Sequence, residues 1–348
     1  MKYLKLIFPI LIVFFKTETL LSENNLFNVN NIEIEKKAKI TNNAIADQAI
    51  KKGFDQLIQK ILLKEDINKL SNLKFSSIKK LVAYYQISNI FKENINKEFL
   101  NFSITFDKDK IHKLFYTKSV LYSDIFDKEL YILPVLIEDN EINIFNNNFF
   151  YENWNEIYDN ELIEFILPIE NIEIIQNLNR KINNLIDLNL DDIFKEYSNK
   201  NLALVLIEES KNQNMKIYLK TKIQDKRISR SLNMQKQNLL NEQFYKNVIV
   251  DAKKELIDLV KSENQIDIRT PSFLKAKLDL NKRSNLVELN LRIKNIDSIE
   301  NVYVQDFNKD HMNLRIKYLG KLQKIIHQLK NRKIDLKLIN DQWVIKTL

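Results

Sequence analysis

Tyr131-Ile-Leu-Pro134-Val-Leu-Ile137, Phe165-Ile-Leu-Pro168-Ile-Glu-Asn-Ile172 and Leu202-Ala-Leu-Val-Leu-Ile207 are the apolar runs on which the fold turns. Each is short and nearly continuous, the pattern of a strand buried on both faces. The third follows an amphipathic helix candidate at 190–199, so strand, helix, strand, helix, strand implies a covered sheet. Proline cannot donate to a ladder, which places Pro134 and Pro168 at an edge or a bulge.

Downstream, Met215-Lys-Ile-Tyr-Leu-Lys-Thr-Lys-Ile223 alternates cleanly and 227–234 follows it, as expected of an antiparallel pair with one wet side. A helix at 239–262 carries Leu240, Phe244, Val248, Ala252, Leu256 and Leu259 on one stripe. Upstream, Val29–Glu35 alternates as a strand, and a helix after Thr41–Asn43 places Ile45, Ala49, Phe54, Leu57 and Ile61 on one face. Gly53 inside that helix costs about 1 kcal/mol relative to Ala, so a neighbour packs closely there. A second helix is expected at 73–87, then a strand at 99–106 and a helix capped by Asp107. At the C-terminal end, strands are expected at 287–293, 302–304 and 311–318, a helix through Leu322–Leu329, and a hairpin from Ile334–Ile339 and Gln342–Ile345.

The expected fold class is therefore mixed α+β (α/β): two or three small sheet-plus-helix domains after an N-terminal signal or anchor. The segments are 1–22, signal peptide or anchor; 23–126, an N-terminal α+β domain; 127–262, a central α/β domain; 263–284, a linker; and 285–348, a small C-terminal α+β domain. Lys2 and Lys5 precede the apolar run Leu6–Phe15, which is too short to span a bilayer and suits an export signal. The residue three before the expected cleavage after Ser22 is large, so retention as an anchor is the alternative. A cytoplasmic chain with a buried first strand is the other.

Composition excludes several chemistries. The 348 residues include 0 Cys, which removes disulfides, Cys-ligated metals and cysteine nucleophiles. Only 2 Gly occur, Gly53 and Gly320, too few and too far apart for a phosphate-cradling loop. Plentiful Asn, Ile and Lys suit an AT-rich coding bias. The charge is segregated. Residues 127–210 hold 5 Lys and Arg against 18 Asp and Glu, whereas 211–348 hold 29 against 15. Such segments either present opposed faces to partners or pack together and cancel.

No catalytic, cofactor-binding or metal-binding residues are assigned, and no cofactor is expected. His112, His311 and His327 lie on separate elements without Asp, Ser or ligand spacing. Asp107 and Asp109 suit a helix N-terminus better than a metal, as do Asp187, Asp191 and Asp192. The cations Lys321, Lys324, Lys330, Arg332 and Lys333 form a solvated face, or a contact for anionic head groups. They lack the interleaved aromatics that nucleic acid requires, and no nucleic-acid partner is expected.

Certain motifs point to a family: Ala44-Ile-Ala-Asp-Gln-Ala-Ile-Lys-Lys-Gly53, Asn101-Phe-Ser-Ile-Thr-Phe-Asp107, Tyr131–Ile137, Phe165-Ile-Leu-Pro-Ile169, Asp187-Leu-Asn-Leu-Asp-Asp192, Ile316-Lys-Tyr-Leu-Gly320 and Asp341-Gln-Trp-Val344. In order and spacing they resemble the proteobacterial envelope family known as domain of unknown function 2066 (DUF2066). This chain departs from it by lacking most of the family's glycines and alanines. The resemblance implies an exported protein with no assigned activity. The middle region is also similar in fold to the small α/β domain of periplasmic translocation and curli-secretion accessory proteins, a likeness that transfers no function. The expectation is a non-enzymatic binding or assembly/adaptor module in the periplasm, or held at the inner membrane by an uncleaved N-terminus. Its partners would be an envelope protein, a cell-wall component or an anionic membrane surface. The alternative is a hydrolase or transferase acting on an envelope polymer through carboxylates such as Asp187 and Glu208, which must face each other across a cleft.

Overall fold

The computed structural model describes residues 26–36, 41–92, 97–138, 141–157, 162–180, 185, 188–210, 214–236, 239–280, 284–294, 296 and 298–348. The expected signal at 1–22 and Asp187 lie outside them. The chain is a mixed α+β protein that divides into two compact units, residues 1–60 with 64–120 and residues 61–63 with 121–348.

In the first unit, β1 (Asn28–Glu35), β2 (Val82–Lys92) and β3 (Lys97–Phe106) form an antiparallel sheet in the order β1-β3-β2. Helix α1 (Asn42–Ile61) buries Ile45, Ala49, Phe54 and Leu57. Its close approach is what Gly53 provides: a Cβ there would stand 2.8 Å from Ile32 Cδ1 on β1 and 3.1 Å from Ile104 Cδ1 on β3. Two short helices follow, α2 (Lys64–Leu70) and α3 (Phe75–Lys80). Helix α4 (Lys108–Lys118) starts at Asp107, whose carboxylate accepts from Lys110 N at 3.1 Å and is held below its ordinary pKa chiefly by that bond. The helix expected at 73–87 is thus corrected. It stops at Lys80, and the β-branched and aromatic residues from Val82 onward pair with β3 instead.

The second unit contains β4 (Tyr122–Ser123) and a six-stranded sheet. That sheet comprises β5 (Glu129–Glu138), β6 (Glu141–Asn143), β7 (Glu164–Ile166), β8 (Asn201–Glu209), β9 (Met215–Ile223) and β10 (Lys226–Met234). Its order is β10-β9-β8-β5-β6, with β7 also on β5; β5 runs parallel to β7 and β8. Every residue of β8 from Leu202 to Ile207 is buried, because layers cover both faces. Leu130, Ile132, Ala203, Val205 and Ile207 pack with the long helix α8 (Asn241–Glu263). Leu133, Val135, Leu204 and Leu206 pack on the other side with α6 (Ile172–Arg180) and α7 (Leu190–Ile193). The helix expected at 190–199 shortens to α7 and a 3-10 turn at Lys195–Tyr197, because Phe194 leaves helical geometry at φ −105°, ψ 45°.

Pro134 sits in a central strand, yet its backbone faces a gap. On the side of β5 away from β8, β7 pairs with residues 129–131 and β6 with 136–138, so neither reaches it. Asn148, fully buried ahead of α5 (Phe149–Asn153), fills that gap. Its Nδ2 donates to Pro134 O at 3.0 Å, Asn143 O at 3.0 Å and Ile144 O at 2.8 Å. Its Oδ1 accepts from Phe150 N at 3.1 Å and Tyr151 N at 3.3 Å, capping α5. Pro168 lies beyond the short β7, where its carbonyl accepts from the Tyr151 hydroxyl at 2.8 Å.

The unit ends in a second sheet, of β12 (Ser272–Asp279), β13 (Ile299–Phe307), β14 (His311–Tyr318), β15 (Ile334–Ile339) and β16 (Gln342–Thr347), ordered β13-β14-β12-β16-β15. A two-residue strand β11 (Gln265–Ile266) pairs with β4. Helices α9 (Ser284–Ile293) and α10 (Leu322–Asn331) contribute Leu289, Ile293, Ile325 and Leu329 to its core. Two expectations are corrected. Residues 263–284 are no linker, since Leu274, Ala276 and Leu278 bury one face of β12 at the middle of the sheet. Residues 287–293 are helical: Leu289 and Ile293 are buried one turn apart, while Val287 and Leu291 are more than three-fifths exposed.

Candidate interaction surface

Strand β2 stands apart among the sheet edges. It forms when α3 ends at Leu81, whose N–H bonds Ile78 O, and a run of strand-favouring residues begins. Which of its backbone groups are free follows from the ladder. Phe106 N donates to Phe27 O at 3.0 Å and Glu98 O accepts from Lys36 N at 2.9 Å, so even-numbered residues of β3 turn toward β1. The odd-numbered residues turn toward β2, opposite Tyr84, Gln86, Ser88 and Ile90. Tyr85, Ile87, Asn89 and Phe91 therefore direct their N–H and C=O groups outward, where no strand pairs with β2 among the described residues.

The side chains match this. Tyr85, Ile87 and Asn89 sit opposite Ile104, Phe102 and Leu100, all buried, on the face that α1 covers over β3. On β2 that cover is incomplete: Tyr85 is 42% exposed, Ile87 49% and Phe91 57%. Tyr84 on the opposite face is 57% exposed. From Val82 to Phe91 there is no charged residue and no proline, and the one irregularity lies at the start, between Val82 and Tyr84. Every other edge of the larger sheets carries a protective device. Strand β1 has Glu33, Glu35 and a register shift; β10 has Lys226, Arg227 and Arg230; β13 has two register shifts, Glu300 and Asp306; β15 has Asp335 and Lys337; β6 is three residues long with Glu141.

The residues singled out in the sequence are placed differently. Asp191, in the first turn of α7, is ion-paired with Lys222 Nζ at 2.7 Å and Arg227 Nη2 at 2.8 Å. The hydrogen bond from Lys222 leads the causes that hold its carboxyl below the ordinary range. Here acidic and basic segments pack side by side and cancel. Asp192 lines a shallow cleft of about 130 Å³ with Pro168, Asn177 and Tyr197. Glu208 is exposed near the end of β8, opposite Lys216. His112 is buried on α4 against Phe27, at 5.6 Å between ring centroids; His311 on β14 approaches Asn308; His327 on α10 packs on Phe126. Of the five cations, Lys324 pairs with Asp124, and Lys321 donates to Glu263 O at 2.7 Å with its pKa lowered by burial. Both line a cleft of about 200 Å³ with Ile266, Asp267 and Gly320. Both clefts fall below the roughly 300 Å³ at which ligand pockets begin. No group of three or more His, Asp or Glu positioned for a metal occurs among the described residues, and none of their helices is long and apolar enough to cross a membrane.

The reading from sequence missed β2 because Leu73, Ile78, Leu81, Val82 and Tyr85 fall at helical spacing. The signal that finds it is Tyr84-Tyr-Gln-Ile-Ser-Asn-Ile-Phe91, eight uncharged residues rich in strand formers with an apolar residue at 85, 87 and 91. No family model, curated protein or solved structure matches the chain.

Proposed function

We propose that the chain is a non-enzymatic binding and assembly module of the bacterial envelope, a member of the family its motifs resemble, acting in the periplasm by accepting a strand at β2. The uncharged, half-exposed edge is the observation that carries this reading. Main-chain groups of Tyr85, Ile87, Asn89 and Phe91 supply the ladder, and the apolar side chains of Tyr85, Ile87 and Phe91 supply the face that an added strand would complete. A photoreactive residue placed in cells at Tyr84, and separately at Glu33 on the charged edge β1, tests it. Adducts are expected at 84 and not at 33, and Asn89→Pro should abolish them. That substitution removes an outward N–H while leaving the bonds to β3 in place. No adduct at 84, or equal yields at both positions, would overturn the proposal.

A further inference from the structure

Resting on that strand-addition reading, we infer that the strand received by β2 is β2 of a second copy, the two joined antiparallel about a two-fold axis into one six-stranded sheet. An isologous contact needs a surface complementary to itself, and β2 meets this in one register. The outward ladder residues are odd-numbered, so odd must oppose odd. Centring the axis on Ser88 sets Tyr85 opposite Phe91 of the second copy and Ile87 opposite Asn89, each twice, with Ser88 facing its own symmetry mate. Aromatic cross-strand pairs then lie on the face α1 leaves uncovered, the overlap of residues 84–92 sets Tyr84 opposite Lys92 and brings no like charges together, and two open edges close at once. Moving the axis to Ile87 breaks both aromatic pairs, since Tyr85 then faces Asn89. Moving it to Asn89 also breaks them and sets Asn89 against itself.

The area suffices. An aromatic side chain buries about 150–250 Å², so Tyr84, Tyr85, Ile87 and Phe91, each about half exposed, offer roughly 100 Å² apiece. Two copies bring about 800 Å², and the backbone of the nine-residue overlap raises the total to the roughly 1,000 Å² expected of a specific interface. An interface of that size falls among transient rather than permanent assemblies.

The absence of cysteine makes the register directly testable. Opposed Ser88 residues form a pair without mutual hydrogen bonds, with Cα atoms about 4.5 Å apart, inside the roughly 4.4–6.8 Å that a disulfide spans. Ser88→Cys in the purified full chain should therefore yield a covalent dimer under mild oxidation with diamide. Gln86→Cys, which faces Ile90 of the second copy and lies about four residues along the strand from its own mate, should not. Light scattering of the uncrosslinked chain should show a concentration-dependent dimer whose midpoint rises at least about tenfold in Asn89→Pro, the loss of one net hydrogen bond per copy. A chain that stays monomeric and uncrosslinked, equal crosslinking at 86 and 88, or a dimer indifferent to Asn89→Pro overturns the inference. If it falls while the in-cell adducts at position 84 persist on another protein, strand addition stands with a different partner; if those vanish too, both readings fall.

Discussion

Asn148→Ala should destabilise the second unit by about 3–4 kcal/mol. Loss of the N-cap to α5 costs about 1 kcal/mol. The carbonyls of Pro134 and Ile144 then lose a buried donor, at about 1–1.5 kcal/mol each, near the lower end for an orphaned group because water can enter the space left. Asn143 O is partly exposed and finds water, so it adds little. Asn148→Ser separates these terms. Its hydroxyl oxygen can still accept from the start of α5, which should return about 1 kcal/mol while leaving the gap beside Pro134 unfilled. Urea unfolding followed by the fluorescence of Trp154 and Trp343, both in this unit, measures the differences at constant slope. A loss under about 1.5 kcal/mol for Asn148→Ala, or no gain from Ser over Ala, would refute the claim that one side chain stands in for the missing strand.

Two further outcomes follow from local geometry. Gly53→Ala should be neutral to about 2 kcal/mol destabilising, since the gain of about 1 kcal/mol in helix propensity meets about 1–3 kcal/mol of overpacking against Ile32 and Ile104; an increase in melting temperature would show that both side chains yield freely. Asp191→Asn should cost about 1 kcal/mol at neutral pH. Because the folded carboxyl titrates below its ordinary value of 3.8, the stability it confers is complete above that range and is lost as pH falls through the lowered value. The gap between wild type and variant should therefore close in acid, and a gap that widens there would contradict the pairing with Lys222 and Arg227.

Strands β5, β8 and β9 and helix α8 were legible because burial imposes a period or a continuous run that composition cannot mimic over that length. The gap beside Pro134 was half legible: missing donor chemistry demanded an edge or bulge, but that Asn148 closes it depends on a contact across 14 residues. Segment 287–293 misled because Val287 and Leu291 are apolar yet exposed, completing an alternation that the core does not use. Leu286, Leu289, Ile293 and Ile296, spaced at three and four, carry the true period. In β12 a small Ala276 between Leu274 and Leu278 weakened a real alternation. The carboxylates and histidines drew attention for their chemistry, but most of those described serve caps, ion pairs and ring packing.

Apolar residues at helical spacing hid β2, and its exposed face connects local sequence to proposed function. A sheet of three strands offers one helix a choice of where to lie. Gly53 settles it: with no Cβ, α1 settles onto Ile32 of β1 and Ile104 of β3. Those side chains become fully buried, whereas Tyr85, Ile87 and Phe91 on β2 keep about half their surface in water. Polar or charged residues at those three positions would ease that exposure at little cost to the fold, as Lys226, Arg227 and Arg230 do on the edge β10. Large apolar residues remain instead, on a strand whose outward ladder meets no other strand among the described residues. Stability of the isolated chain does not account for that choice, and the proposed completion of the sheet by another strand would.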